Sequence, residues 1–265
     1  MTRVGVHRRA DGSGVALDLA TSALLPRVLA TTARGARVAL VGARALLLAG
    51  DEVHVDVVVG AGCELDVVEV AGTVAYDGRG GPASAWTVHA RLGEDARLLR
   101  HGEPFVVATG ADVVRRVEVD LAAGASALLR EVLVLGRTGE AGGALLATTR
   151  ARLAGRALLA EDLDLREPAL RRSPALLGAA RCLDTVTLLG ARAEGEDVFQ
   201  LERPGSQARA LLSDAHASPL APVWARWRAG LLAPSPARGS RAGTPATITE
   251  GVRGLAPAQA GTGRA

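Results

Sequence analysis

The sequence is poor in several residue types, and each scarcity excludes a class of protein. Only two cysteines, Cys63 and Cys182, occur in 265 residues, and they form no CxxC pair. Neither a disulfide scaffold nor a structural zinc site is therefore supported. No stretch reaches the roughly 18 consecutive apolar residues that cross a bilayer, and no secretory core follows Met1-Thr2-Arg3, because Val4-Gly5-Val6 leads at once into His7-Arg8-Arg9. We expect a cytoplasmic protein with no membrane segment.

Lysine and asparagine are absent, so all 31 basic residues are arginines, against 28 acidic residues and a net charge of +3. Acidic residues are interleaved with the arginines through most of the chain, and we expect no specific nucleic-acid binding. Aromatic residues make up only 2% of the chain. Hydrophobic residues nonetheless reach 48%, so the core must be packed mainly with alanine, valine and leucine.

Alternation of apolar and polar residues predicts that strands dominate residues 35–205. Residues 53–59 place a valine at every second position, and the alternation resumes after Gly60-Ala61-Gly62. The same strand, turn, strand unit recurs with Asp95 and then Gly124 at the turn. The spacings are 33 residues (62 to 95) and 29 residues (95 to 124). A repeat of about thirty residues is typical of stacked β units and solenoids.

Two later segments, 148–164 and 186–202, are further candidates for this series of units. Helix signals are few and lie towards the C-terminus. Residues 174–180 begin with a proline at the first helical position after a serine N-cap. Residues 207–216 and 223–232 carry apolar residues at helical spacing.

Residues 234–265 differ in composition from the rest of the chain. They are rich in Gly, Pro, Ala, Ser, Thr and Arg and lack an apolar period, so they cannot bury enough surface to offset the entropy of ordering. We therefore predict one β-rich domain over residues 1–233, followed by a flexible low-complexity tail over residues 234–265.

The sequence shows none of the motifs of the large enzyme classes. GxSxG, GxxxxGK[ST] and HExxH are absent, and no GxGxxG stands between a strand and a helix. The sequence therefore gives no motif evidence for a hydrolase, an NTPase, a zincin or a Rossmann enzyme. The histidines are dispersed and never paired at ligand spacing: His7, His54, His89, His101 and His216.

The densest polar cluster in an apolar setting lies at residues 131–140. Glu131 begins a run of apolar residues that leads into a glycine-rich turn carrying Arg137 and Glu140. The alternative to a functional role is an edge strand with a hairpin turn and an Arg–carboxylate pair.

Three more acidic residues are candidates for a binding site. Asp51 stands in a short acidic turn at the start of the first clear strand, where a plain turn is the alternative. Glu64 and Asp66 share one face of a strand because side chains alternate with a period of two, and a solvated face is the alternative.

A carbohydrate-active enzyme on a β-solenoid scaffold is a rival hypothesis. It needs an acid and a base about 5–10 Å apart in a groove lined by aromatic side chains. With one tyrosine and two phenylalanines, such a groove is hard to build. A purely structural β module that mediates assembly is the other alternative.

The order of these segments resembles the urease accessory protein family UreD, also called UreH. The most specific part of the resemblance is Glu131-Val132-Leu133-Val134-Leu135-Gly136-Arg137 with Gly139-Glu140, like the family's E-x-x-x-L-G-R and G-E stretch. The rest of the signature comprises Leu46–Asp51, Gly60–Gly62, Tyr76, Gly102–Val107 and Leu121–Ala125. The segment Val67–Tyr76 departs from the family's threonine-rich pattern.

The resemblance implies an all-β fold, a solenoid-like stack of two sheets built from repeated hairpins with a few short helices towards the C-terminus. It implies a maturation factor rather than an enzyme. Such a protein binds apo-urease and, with UreF and the GTPase UreG, supports delivery of nickel to the urease active site. No cofactor is bound tightly, nickel is a transient cargo, and a homodimer within the complex is left open.

Nickel that must be handed on needs weak oxygen or nitrogen ligands, since thiolates would hold it too firmly. The resemblance therefore suggests carboxylates that line or gate an internal path. The candidates are Glu131, Glu140, Asp51, Glu64 and Asp66.

The resemblance also directs attention to a partner surface. Trp224 and Trp227 stand three positions apart on a predicted helix, and aromatic anchors are common at interfaces. Packing of both onto their own domain is the alternative. Arg137 is a candidate either for partner binding or for neutralising one of the carboxylates and fixing its turn.

Overall fold

The computed structural model describes residues 1–195 and 198–233, and the predicted tail, 234–265, lies outside the described residues. The described strands are β1 (Thr2–Arg8), β2 (Val15–Ala20), β3 (Leu24–Thr31), β4 (Gly35–Gly42), β5 (Glu52–Val59), β6 (Glu64–Glu69), β7 (Thr73–Ala75), β8 (Ser84–Leu92), β9 (Arg97–His101), β10 (Phe105–Val107), β11 (Asp112–Leu121), β12 (Ser126–Leu135), β13 (Ala144–Leu153), β14 (Arg156–Asp164), β15 (Cys182–Leu189), β16 (Phe199–Gln200) and β17 (Gly205–Leu212). The helices are α1 (Pro168–Arg171) and α2 (Ala221–Leu232), with a 3₁₀ turn at Ala215–Ala217.

The strands form two sheets. The seven-stranded sheet has the order β14-β13-β11-β8-β5-β1-β2. The ten-stranded sheet has the order β16-β17-β15-β12-β9-β6-β4-β3, with the short β10 paired to β12 and β7. The prediction of an all-β, solenoid-like stack of two sheets is confirmed.

The middle of the molecule consists of three stacked units, β5–β6, β8–β9 and β11–β12. The predicted equivalence of Gly62, Asp95 and Gly124 is confirmed, since all three have positive φ (62°, 53° and 72°). The N–H of Gly62 donates to the Glu94 carbonyl at 2.8 Å, and that of Asp95 to the Ala123 carbonyl at 3.1 Å. In the parallel pairing, Glu64 lies beside Arg97 and Arg97 lies beside Ser126. These pairs are 33 and 29 residues apart, the same spacings as between the turns.

The units are not hairpins, and this detail of the prediction is wrong. The two strands of each unit lie in opposite sheets, and each pairs in parallel with the equivalent strand of the next unit. An alternating pattern predicts a strand but not which neighbour it pairs with. Antiparallel hairpins occur instead at the ends of the stack, in β1–β2, β3–β4 and β13–β14.

The two later candidate units do not continue the series. Residues 148–164 belong to the β13–β14 hairpin within the seven-stranded sheet. In 186–202, β15 and β16 both belong to the ten-stranded sheet, where β17 pairs with each. The strands β1–β3 precede the region in which strands were predicted to dominate.

The helix predictions are partly wrong. Residues 223–232 lie in α2 as predicted, but residues 174–180 form turns, and the single-turn helix α1 precedes them. Residues 207–212 belong to strand β17, because antiparallel pairing with β15 overrides a short apolar spacing that either structure could satisfy. No helix in the described part of the chain is long and apolar enough to cross a membrane.

The main core lies between the sheets and is built chiefly of valine, leucine and alanine. Trp86 and Phe105 meet there edge to face, with ring centroids 5.8 Å apart. A second, smaller core lies on the other face of the ten-stranded sheet, which we call the outer face. Here Trp227 of α2 packs in one cluster with Leu99 and Leu128.

Candidate functional site

A chain of four charged side chains crosses the apolar core, and we call it the interior ion-pair chain. It consists of Glu69 on β6, Arg100 on β9, Glu131 on β12 and Arg115 on β11. The pleat explains why these side chains point inward. Each lies two positions from a residue of the main core, such as Val67 beside Glu69.

Arg100 joins the two carboxylates. Its Nη2 lies 2.7 Å from Oε1 of Glu69, and its Nη1 lies 3.3 Å from Oε1 of Glu131. Arg115 reaches the same Glu131 oxygen from the opposite sheet, with its Nη1 at 2.5 Å. The Arg100 side chain is only 2% exposed. Two arginines alternate with two glutamates along the interior ion-pair chain, so the net charge of these four side chains is zero.

The electrostatics keep Glu131 ionised. Burial by itself raises the pKa of this carboxyl, but the charges of Arg115 and Arg100 outweigh burial and leave the pKa below its usual value. The guanidinium of Arg115 also lies over the Phe105 ring, 5.2 Å from its centroid. The aromatic pair of the core thus supports one end of the interior ion-pair chain.

Two cavities adjoin the interior ion-pair chain on opposite sides. The larger, of about 320 Å³, is lined by Glu69, Trp86 and the loop that follows β6. The smaller, of about 40 Å³, lies between the sheets and is lined by Arg115, Glu131, Glu161 and neighbouring threonines. Arg100 links the carboxylate on one cavity to the carboxylate on the other.

Two buried donors beside these cavities have no hydrogen-bond partner among the described residues. They are Nε1 of Trp86, which lines the larger cavity, and Nε of Arg115, which lines the smaller one. Buried polar atoms in native proteins normally find a partner, often an ordered water. The interior on both sides of Arg100 is therefore suited to water or another polar guest.

Glu140 does not join the interior ion-pair chain. It lies in the loop between β12 and β13, where it accepts hydrogen bonds from the backbone N–H groups of Arg137 (3.0 Å) and Thr109 (3.2 Å). Its carboxylate also pairs with the Arg137 guanidinium at 2.5 Å. The Arg137 contacts lower the pKa of Glu140 to about 2. The strand that leads here, β12, is central in its sheet rather than at an edge, and the loop crosses to the other sheet.

The other three predicted carboxylates lie in two further places. Asp51 accepts a hydrogen bond from the Leu48 N–H at 3.1 Å and pairs with Arg44 at 3.5 Å in the loop before β5. Glu64 and Asp66 share the outer face of β6, as predicted. Glu64 pairs with Arg97 at 3.2 Å, and Asp66 pairs with Arg37 at 3.5 Å and Arg228 at 3.2 Å. These last two carboxylates line a groove of about 180 Å³ beside α2.

The two tryptophans of α2 have different environments. Trp227 is 4% exposed and packs against the outer face. Trp224 is half-buried and meets His101 edge to face at 5.1 Å. Burial, and then the nearby Arg130, lower the pKa of that histidine. Arg137 is more accessible, with 56% of its side chain exposed.

Sequence reasoning missed the two arginines of the interior ion-pair chain and gave Glu69 no role. One signal could have found them, because Glu69, Arg100 and Glu131 follow one another at intervals of 31 residues. That interval falls within the predicted repeat. Sequence reasoning also missed Asp184, which is fully buried on the outer face. Its carboxylate pairs with Arg130 at 2.8 Å and accepts a hydrogen bond from the Ser218 hydroxyl at 2.5 Å.

The amino-acid sequence is similar to those of one family of known proteins. Residues 3–242 match the family model described as UreD urease accessory protein. Urease accessory protein UreD 1 of Streptomyces griseus is 47% identical over 233 residues, 86% of this chain and 91% of that protein. The UreD of a Parafrankia species is 35% identical, covering 80% and 83% of the two chains. That of Frankia alni is 38% identical, covering 66% and 68%.

Proposed function

This chain belongs to the UreD family of urease accessory proteins, and we propose that its part in urease maturation is to pass nickel ions through its interior. In this proposal it binds apo-urease and acts with UreF and the GTPase UreG in the cytoplasm. Nickel is the cargo, and the chain itself catalyses no reaction.

The interior ion-pair chain is the observation that carries the proposal. A divalent cation cannot enter an apolar core unless nearby groups compensate the cost of its desolvation. Glu69 and Glu131 are the carboxylates of the interior ion-pair chain, and each lines one of the two cavities. Carboxylate oxygens suit nickel that must be released again, because they hold it less firmly than thiolates do.

The donor set favours transit over storage. Within residues 1–195 and 198–233, no group of three or more His, Cys, Asp or Glu side chains is placed to hold a metal ion. Two carboxylates with water as the remaining ligand would bind nickel weakly. An ion could then move between the cavities without being trapped.

The remaining predicted carboxylates take supporting roles in this proposal. Glu140 and Asp51 hold loops through hydrogen bonds to backbone N–H groups. Glu64 and Asp66 lie on the outer face, outside the path that runs between the sheets. For partner contacts we favour Arg137 and Trp224, whose side chains keep accessible surface, over the buried Trp227.

A carbohydrate-active enzyme fits less well. The cavity beside Glu131 measures about 40 Å³, room for a few waters but not for a sugar ring. Its lining, in the described part of the chain, includes no aromatic side chain.

The test is urease activation in cells that lack their own protein of this family. The chain is co-expressed with the urease subunits, UreF and UreG of the same host, and urease activity is measured against nickel concentration. We expect activation only when this chain is present. The double variant Glu69→Gln/Glu131→Gln should lower activation by about tenfold or more. Glu69→Gln alone leaves Glu131 paired with both arginines, and it should lower activation while the variant still co-elutes with its partners.

Glu118→Gln is the matched control, since this carboxylate lies exposed on β11. It should activate urease like the unaltered chain. Full activation by the double glutamine variant would refute the internal path, and absence of activation by the unaltered chain would refute the proposed role as a whole.

A further inference from the structure

We propose that Arg100 is the gate of this interior path, a side chain that closes it by occupying both carboxylates and opens it by moving aside. The inference rests on the proposed function for its purpose. Its physical basis, the competition between a guanidinium and a metal ion for the same oxygens, can be tested without urease.

The register of three parallel strands defines the gate. Three residues lie at the same level of neighbouring strands: Glu69 on β6, Gly102 just after β9, and Glu131 on β12. The register fixes this alignment, because Glu64 pairs with Arg97 and Arg97 pairs with Ser126. The two glutamates are therefore two strand spacings apart, roughly 10 Å between backbones. Arg100 stands two positions before Gly102 on the middle strand, and its guanidinium reaches both carboxylates.

Gly102 places no side chain beside the Glu69 carboxylate. A Cβ at this position would lie 3.0 Å from the Arg130 carbonyl oxygen and 3.6 Å from Oε2 of Glu69. Any larger side chain would fill the gap next to Glu69 from the middle strand. The glycine therefore keeps the middle strand from crowding the carboxylate that Arg100 pairs with.

Charge makes the two occupants mutually exclusive. With Arg100 in place, the interior ion-pair chain is neutral, and a dication would meet two guanidinium groups at close range. When Arg100 leaves, Glu69 has lost its ion-pair partner and Glu131 retains only Arg115. The group then carries a net charge of −1, which attracts a cation strongly in a poorly solvated interior.

Arg115 and Arg100 are held by different contacts. Arg115 packs over the Phe105 ring at 5.2 Å and joins the two sheets through Glu131. In the described part of the chain, the Arg100 guanidinium donates hydrogen bonds to the two carboxylates alone. The larger cavity lies on the far side of Glu69, the carboxylate that Arg100 holds.

The experiment measures nickel binding by the purified full-length chain, using equilibrium dialysis against Ni²⁺. We expect Arg100→Met to bind about one nickel ion per chain, with an affinity about tenfold or more above that of the unaltered chain. The double variant Arg100→Met/Glu131→Gln should lose this gain. Arg116→Met removes the same charge from an exposed position on β11 and should bind nickel like the unaltered chain.

A folded Arg100→Met that gains no nickel binding over Arg116→Met would overturn the gate. If circular dichroism shows that Arg100→Met does not fold, Arg100→Lys decides the question. A single ammonium keeps the charge but cannot pair with both carboxylates at once, so an intermediate gain is expected, and a nickel affinity equal to that of the unaltered chain would overturn the proposal.

Failure of the gate and failure of the proposed function give different results. If the unaltered chain activates urease but no Arg100 variant gains nickel, the path stands without this gate. If Arg100→Met gains nickel but the unaltered chain does not support activation, the carboxylates compete for metal as argued and the delivery role is wrong.

Discussion

Arg115 and Glu131 lie on opposite sheets and meet across the core at 2.5 Å. Their pairing makes the interior ion-pair chain a link between the sheets as well as a polar path. Because both are poorly exposed, the loss of one partner leaves an uncompensated charge inside the molecule. A structural role and a transport role for this pair can be separated by the pattern of their variants.

The first prediction concerns the stability of this pair. Arg115→Met should destabilise the fold by about 3–5 kcal/mol, because it strips Glu131 of its closest partner. Arg115→Met/Glu131→Leu should recover much of that loss, since an apolar pair of similar volume often replaces a buried ion pair without cost. The measurement is urea denaturation followed by circular dichroism. Equal losses in the single and double variants would contradict the assignment.

The second prediction concerns the pH dependence of the β12–β13 loop. The contacts of Arg137 lower the pKa of Glu140 from 4.5 to about 2. A carboxyl with a depressed folded-state pKa contributes stability above its unfolded pKa, and that contribution is lost as pH falls towards the folded pKa. The Glu140 contribution should therefore be complete above pH 4.5 and disappear as pH approaches 2.

This pKa can be checked by carbon-detected NMR titration of the Glu140 carboxyl. Arg137→Gln should move the midpoint back towards 4.5, because it removes the side-chain hydrogen bonds that hold the carboxylate. Arg152→Gln, which alters an exposed arginine elsewhere, is the control. A midpoint that stays near 2 in Arg137→Gln would show that the backbone donors alone set this pKa.

The third prediction compares two glycines with the same backbone conformation. Gly124 has a φ of 72°, and a Cβ there would lie 2.0 Å from Oδ1 of Asp95. Gly155 has a φ of 75° with nothing within 4 Å of a Cβ. Alanine should cost about 1–2 kcal/mol at either position because of the left-handed backbone.

Gly124→Ala should cost more than Gly155→Ala, because the Asp95 side chain must also move. The difference should shrink in the background of Asp95→Ala, which removes the obstructing carboxylate. Free energies of unfolding from urea titrations test this comparison. Equal costs for the two glycines would mean that the stacked turns yield easily, contrary to the close contact between successive units.

Local patterns in the amino-acid sequence are enough to predict the strands, the turns and the length of the repeat. Alternating valines at residues 53–59 specify a strand with one buried face, and residues with positive φ are required where the chain turns at Gly62, Asp95 and Gly124. The spacing of these turns equals the register of the parallel strands. Each of these features depends on residues close together in the chain, so a local pattern reveals them.

The neighbours of each strand and the partners of each buried charge depend on the three-dimensional fold. Glu131 was singled out from the sequence, but with Glu140, which lies in a separate loop. Its actual partners, Arg100 and Arg115, come from another repeat and from the opposite sheet. Parallel β-pairing joins residues about thirty positions apart, and the pleat of each strand then determines which side chains face inward. An isolated charged residue in a strand does not by itself reveal that it is buried with a partner of opposite charge.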